Sequence, residues 1–194
     1  MSVNAAAYVP TALIPVADGS EEIEATTLAD VLVRGGVQVT MASVGRKDEN
    51  IVKMSRGVKV QADLAIEACV DLSFDLIVVP GGLPGANHLR DCPVLIDLLK
   101  KQRHEGKLYG AICAAPAVVL HTHGLLAGPA TAYPGFEKQM TDCEYKNERV
   151  VVSGKCITSQ GPGTAMEMGV KLVELLMGKE KATEVARGLL MPMP

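Results

Sequence analysis

An α/β sandwich with a mostly parallel central sheet and helices on both faces is the fold class that this sequence predicts, and three observations predict it. Strand-like apolar runs alternate with helix-like segments from one end of the 194 residues to the other. Hydrophobic residues make up 48% of the chain, yet there is no Trp and only two Phe and four Tyr, so the core is aliphatic and suits a Val- and Ile-rich parallel sheet. Several strand-like runs also feed short loops rich in glycine or small residues, as strands do at the carboxyl edge of an open sheet. The length suits one well-buried domain, residues 1–194, with no repeat or linker to divide it.

Each element follows from its local pattern. Thr11–Val16 is the first strand, Asp18-Gly19-Ser20 the turn, and Glu21–Arg34 a helix that Gly35-Gly36 stops. Val37–Ser43 forms the second strand. Ile51–Met54 and Val58–Val60 read as the arms of a hairpin around Ser55-Arg56-Gly57. The continuous apolar run Leu76–Val79 is a central parallel strand that feeds Pro80-Gly81-Gly82. Pro93–Glu105 is a helix with Pro in its first turn. Leu108–Ile112 is the next strand, and Ala114–His121 continues from it as a helix. Val150–Val152 and Cys156–Ser159 are strands, and Thr164–Met177 and Lys179–Leu190 are closing helices.

Composition narrows the function. A net charge of −3 supplies no basic footprint for nucleic acid. No apolar run reaches membrane-spanning length. Met1–Pro10 lacks the basic and apolar regions of a secretory signal, so the cytosol is the expected compartment. The five cysteines, Cys69, Cys92, Cys113, Cys143 and Cys156, include no Cys-x-x-Cys pair, which argues against a disulfide framework or zinc ribbon. His121-Thr122-His123 reads as a solvated helix end rather than a metal pair, so no metal is expected. The glycine loops match neither Gly-x-Gly-x-x-Gly nor a P-loop, and no cofactor is implied.

Cys113 stands out because it sits where a strand pattern turns abruptly into a helix pattern between small neighbours. Unpaired N–H groups at a helix start stabilise a thiolate, so a lowered thiol pKa is expected there. The competing reading is an inert core cysteine. Loops at Ala17–Ser20, Pro80–Pro84, Ile112–Ala115 and Gln160–Thr164 are expected to meet at one sheet edge with it. Dipole complementation suffices to explain Glu21 and Glu22. Glu24 differs, because it shares the inward stripe of Leu28, Val31 and Gly35, whereas Glu22 points the opposite way. A buried carboxylate must be neutralised or hydrogen-bonded. The expectation is that Glu24 approaches Cys113 and that the two hold one proton between them.

Four segments, Gly19–Glu24, Leu76–Gly82, Ala111–Pro116 and Ser159–Thr164, resemble the ThiJ/PfpI superfamily, in order and across nearly the whole chain. More narrowly the chain resembles the Parkinsonism-associated DJ-one subgroup and its bacterial relatives. That resemblance implies a flavodoxin-like homodimer, with Cys113 as the oxidisable nucleophile and Glu24 as its carboxyl partner. It also implies an oxyanion pocket from the N–H groups of Gly82 and Ala114. The activities implied are glutathione-independent conversion of methylglyoxal and other α-oxoaldehydes to hydroxy acids, and deglycation of early adducts on amines or thiols. Redox sensing and chaperone action through the same cysteine are the alternative.

Two departures matter. Protease members carry His directly after the cysteine, where this chain has Ala114, so a Cys-His dyad is not supported. Animal members place a His near the pocket, where this chain has Tyr133, a candidate hydrogen-bond donor or wall residue. Arg34 and Arg56 match arginines near the interface and pocket mouth, and read otherwise as solvated charge. Cys92, before Pro93, is the expected secondary reactive thiol. The acids flanking Cys143 disfavour its thiolate, and Cys69 and Cys156 read as structural.

Overall fold

A computed structural model describes residues 8–46, 50–126 and 128–191, so residues 1–7 of the Met1–Pro10 segment lie outside the described residues. In chain order the elements are β1 (Thr11–Val16), α1 (Glu22–Arg34), β2 (Gln38–Ser43), β3 (Ile51–Lys53), β4 (Lys59–Gln61), β5 (Leu64–Ala65) and β6 (Leu76–Val79). They continue with α2 (Gly85–Arg90), α3 (Pro93–His104), β7 (Leu108–Ile112), β8 (Val150–Ser153), β9 (Cys156–Ser159), α4 (Ala165–Met177) and α5 (Lys179–Gly188). Seven strands form one sheet in the order β5-β2-β1-β6-β7-β9-β8, parallel throughout except for β8, which runs antiparallel to β9. The fold is the expected α/β sandwich.

The sheet is parallel because its central strands have no polar face to give to water. β6 and β7 are buried at every position, and β1 at all but its first. Parallel neighbours need crossovers, and these run in opposite directions from the middle of the sheet: β1 crosses to β2 through α1, and β6 crosses to β7 through α2 and α3. Crossovers of one hand then put the helices on opposite faces. α1 packs with α4 and α4 with α5, while α2 packs with α3 and with the helix after β7. The strand order reverses between β1 and β6, so a crevice opens beyond their carboxyl ends.

Local chemistry explains the boundaries of α1. The Glu21 side chain caps its start by accepting from the Glu24 N–H at 2.8 Å, and Gly36, at φ +84°, lets the chain leave its end. Three details differ from the expectation. Residues 116–121 after the elbow are π-helical rather than α-helical, and the sequence pattern shows neither β5 nor α2. β5 has two residues and α2 six, too short for periodicity to declare itself. The hairpin β3–β4 pairs antiparallel as expected but stays outside the main sheet. Among the described residues no helix is long and apolar enough to cross a membrane.

Candidate active site

Cys113 has φ +65°, a left-handed conformation that costs a non-glycine residue about 1–3 kcal/mol. Its surroundings impose it: the Cys113 N–H donates to the Ser159 carbonyl at 2.9 Å, and its own carbonyl accepts from the Tyr133 N–H at 2.8 Å. The elbow is braced from β9 on one side and from the Tyr133 segment on the other. Gly81 makes room for it, because a Cβ there would lie 2.7 Å from the Cys113 Cβ and 3.0 Å from the Ala114 nitrogen. Gly82, at φ +85°, faces the β1 loop just as closely, with Gly19 oxygen 2.5 Å from where its Cβ would stand. The Gly81-Gly82 pair is thus wedged between the two loops that carry the acid and the thiol.

Glu24 comes from the first turn of α1 and is fully buried. Its Oε2 accepts from the Gly81 N–H at 2.8 Å, while Oε1 is buried with no hydrogen-bond partner among the described residues. Burial outweighs that bond and pushes the Glu24 carboxyl up to about 7. Cys113 is 9% exposed, and burial pushes its thiol up as well. The Glu24 charge and its contact with the thiol add to the rise, while the N–H groups of Gly82 and Ala114 oppose it. The amides at the elbow act in the direction expected from the sequence, yet burial and the acid outweigh them, so the lowered thiol pKa is corrected to a raised one. Both contributions of Glu24 fade when the proton moves to its carboxyl, so acid and thiol titrate as a pair.

A pocket of about 400 Å³ opens over Cys113. Gly82, Ala114, Tyr133 and Phe136 line it together with Glu21, Ser55 and Arg56. The structure therefore brings Cys113, Glu24, Gly82 and Ala114 together, with Tyr133 half exposed on the wall. Such an arrangement supplies a nucleophile, a proton carrier of near-neutral pKa and two N–H donors for a developing oxyanion.

Several expectations need correction. Glu22 points away from the Glu24 stripe, but more than the helix dipole holds it: it is buried, and its carboxylate accepts from the Ser55 hydroxyl at 2.7 Å and from the Arg56 N–H at 2.8 Å. Arg56 lines the pocket, whereas Arg34 fits the solvated reading and pairs with Asp30 at 2.8 Å. Cys92 is 8% exposed and burial pushes its thiol up, the opposite of the shift that a helix start favours. His123 bonds the Arg90 carbonyl at 2.9 Å instead of standing free in solvent. Among the described residues no three His, Cys, Asp or Glu side chains converge as metal ligands. Ser55, Phe136 and the clamping role of Glu22 were missed; the one signal for them was a third carboxylate in a helix start where fewer would complement the dipole.

Residues 10–175 match the model of the DJ-1/PfpI family. The glutathione-independent glyoxalase DJR-1.2 of Caenorhabditis elegans is 42% identical, over 91% of this chain and 93% of that protein. Protein DJ-1 homologs B and A of Arabidopsis thaliana are 46% and 47% identical over 93% and 96% of this chain, which spans 41% and 48% of their length. Among solved structures, oxidized DJ-1 of Toxoplasma gondii superposes with a TM-score of 0.91 at 48% identity, covering 95% of this chain and all of that one.

Proposed function

The chain belongs to the DJ-1/PfpI family, and we propose that it is a glutathione-independent glyoxalase that converts methylglyoxal and related α-oxoaldehydes to hydroxy acids with Cys113 and Glu24. The observation that carries this reading is the buried Glu24 carboxyl beside the thiol, with one oxygen unpartnered and its pKa raised to about 7. A carboxyl that titrates near neutrality can accept the thiol proton as the sulfur attacks and return it later. The activity named for the nematode relative supports the same substrate class.

The steps use only these residues and water. Sulfur attacks the aldehyde carbon while Glu24 takes the thiol proton, and the N–H groups of Gly82 and Ala114 receive the negative oxygen. Glu24 protonates that oxygen to give a hemithioacetal. The carboxylate then removes the former aldehyde hydrogen as a proton, and its return to the neighbouring carbon gives an S-lactoyl thioester. Water cleaves the thioester to lactate and restores the thiol, so methylglyoxal plus water equals lactic acid. Early glyoxal adducts present a comparable carbon, and release of their amine or thiol would make the same site a deglycase. The resemblance further supports a cytosolic homodimer.

The test follows lactate formation from methylglyoxal. Cys113→Ser is expected to abolish turnover and Glu24→Gln to lower kcat by about 10²–10⁴-fold. Unchanged activity in Cys113→Ser would overturn the mechanism. A second reading, a redox sensor or redox-regulated chaperone using the same thiol, has the oxidized state of the Toxoplasma relative in its favour. It predicts that peroxide adds two oxygens at Cys113 before any other cysteine, a point for peptide mass spectrometry.

A further inference from the structure

The hairpin β3–β4 is a two-stranded unit outside the main sheet, and such a unit has little stability of its own. The turn before α1 and the first residue of α1 hold it in place. Lys53 N–H donates to Asp18 Oδ1 at 2.9 Å, Gly19 N–H to the Lys53 carbonyl at 2.9 Å, and Ser55 N–H to the Ser20 carbonyl at 2.8 Å. At the tip the Glu22 carboxylate is the side-chain anchor, as Asp18 is at Lys53. It accepts from the Ser55 hydroxyl at 2.7 Å and from the Arg56 N–H at 2.8 and 3.0 Å through its two oxygens. Burial works to raise its pKa, but these bonds win and hold it below the ordinary carboxylate range.

What that clamp presents to the pocket is Arg56, the only cationic residue on its lining among the described residues. None of the ion pairs among the described residues involves Arg56. Nor is it among the principal influences on Cys113, which are burial, Glu24 and the two backbone N–H groups. The charge is therefore available to a bound molecule rather than spent on the thiol. Glu21, the carboxylate on the same lining, is already engaged as the α1 cap.

We propose that Glu22 is a positioning residue whose carboxylate clamps the Ser55–Arg56 turn to α1, fixing Arg56 at the mouth of the Cys113 pocket to recognise a carboxylate carried by the substrate. This deepens the proposed function and rests on Cys113 as the reacting group. The substrates favoured are α-oxoaldehydes, or adducts of them, that bear a carboxylate away from the reacting carbon. Arg56 touches that carboxylate; Glu22 acts through Arg56.

Alkylation of Cys113 tests this without requiring turnover. Rates with anionic iodoacetate and neutral iodoacetamide are measured on the whole protein by peptide mass spectrometry, and their ratio is compared among variants. Arg56→Ala is expected to lower the iodoacetate-to-iodoacetamide ratio about threefold to fivefold, the scale of an exposed ion pair. Glu22→Ala should lower it equally, and the double variant no further, with iodoacetamide alone changed less than about twofold. Glu22→Gln, which keeps one acceptor oxygen, should fall between, and the Arg56 and Val58 amides should exchange hydrogen faster in both Glu22 variants. A ratio in Glu22→Gln and Glu22→Ala equal to the wild type would overturn the clamp, as would a wild-type ratio equal to that of Arg56→Ala. If Glu22→Ala fails to fold, Glu22→Gln and Ser55→Ala decide the matter. Absence of methylglyoxal turnover in the wild type would count against the glyoxalase reading and leave this ratio as it is.

Discussion

Glu24 works against the fold that contains it. Its carboxyl is fully buried, satisfied at one oxygen by Gly81 and left open at the other, and burial raises its pKa from the ordinary 4.5 to about 7. A raised folded-state pKa stabilises the fold below the unfolded value, where both states are protonated on equal terms. That contribution is lost as pH rises through about 7, because the folded protein must then ionise a buried acid. The span of the shift corresponds to about 3 kcal/mol. Glu24→Gln keeps an acceptor for the Gly81 N–H and carries no charge at any pH. Urea unfolding at pH 4 and pH 8 should therefore show the wild type losing about 3 kcal/mol more than Glu24→Gln across that interval. Equal losses would mean that Glu24 is not the buried acid described. The gain in stability comes at the cost of the proton carrier, a trade-off common at reacting groups.

At the scale of elements, the site depends on how closely two loops pass each other. Gly81 follows β6 and meets the elbow after β7, where an added Cβ would stand 2.7 Å from Cys113 Cβ and 2.9 Å from the Ile112 carbonyl. Backbone on both sides leaves nothing flexible to yield. Gly81→Ala is expected to cost about 1–3 kcal/mol in urea unfolding and to slow Cys113 alkylation, since the Gly82 N–H must shift with it. Gly188→Ala, at the end of α5 with open space around it, should change neither. The same loops show what a sequence can reveal. The strand-to-helix break at Cys113 and the inward spacing of Glu24 are local patterns, and both are legible in the sequence alone. The docking of β3–β4 was not, because Glu22, Ser55 and Arg56 meet through bonds between residues more than thirty apart, with no periodicity to announce them. α2 escaped for a different reason: it starts at Gly85 with no side-chain cap. The raised thiol pKa also lay beyond the sequence, which shows a helix start but not how deeply the thiol is buried.

Across the whole molecule, the first turn of α1 joins the pocket to the outer surface. Glu22 and Glu24 turn inward to the hairpin and the thiol, while Ile23 between them is 53% exposed and Val33, further along α1, is 58% exposed. Val58, on the hairpin that Glu22 holds, is 51% exposed as well. Single exposed apolar side chains are ordinary. Here they lie on the two elements that frame the pocket mouth, and the proposed homodimer gives them a partner. Ile23→Asp places a charge on that surface without touching a buried contact, so the fold should persist. Sedimentation equilibrium at micromolar concentration is expected to give a dimer for the wild type and a monomer for Ile23→Asp, with matching circular dichroism. If the pocket mouth is framed by that contact, the monomer should also show a higher KM for methylglyoxal at an unchanged alkylation rate of Cys113. A monomeric wild type, or a dimer that survives Ile23→Asp, would separate the α1 surface from assembly and leave the site complete within one chain.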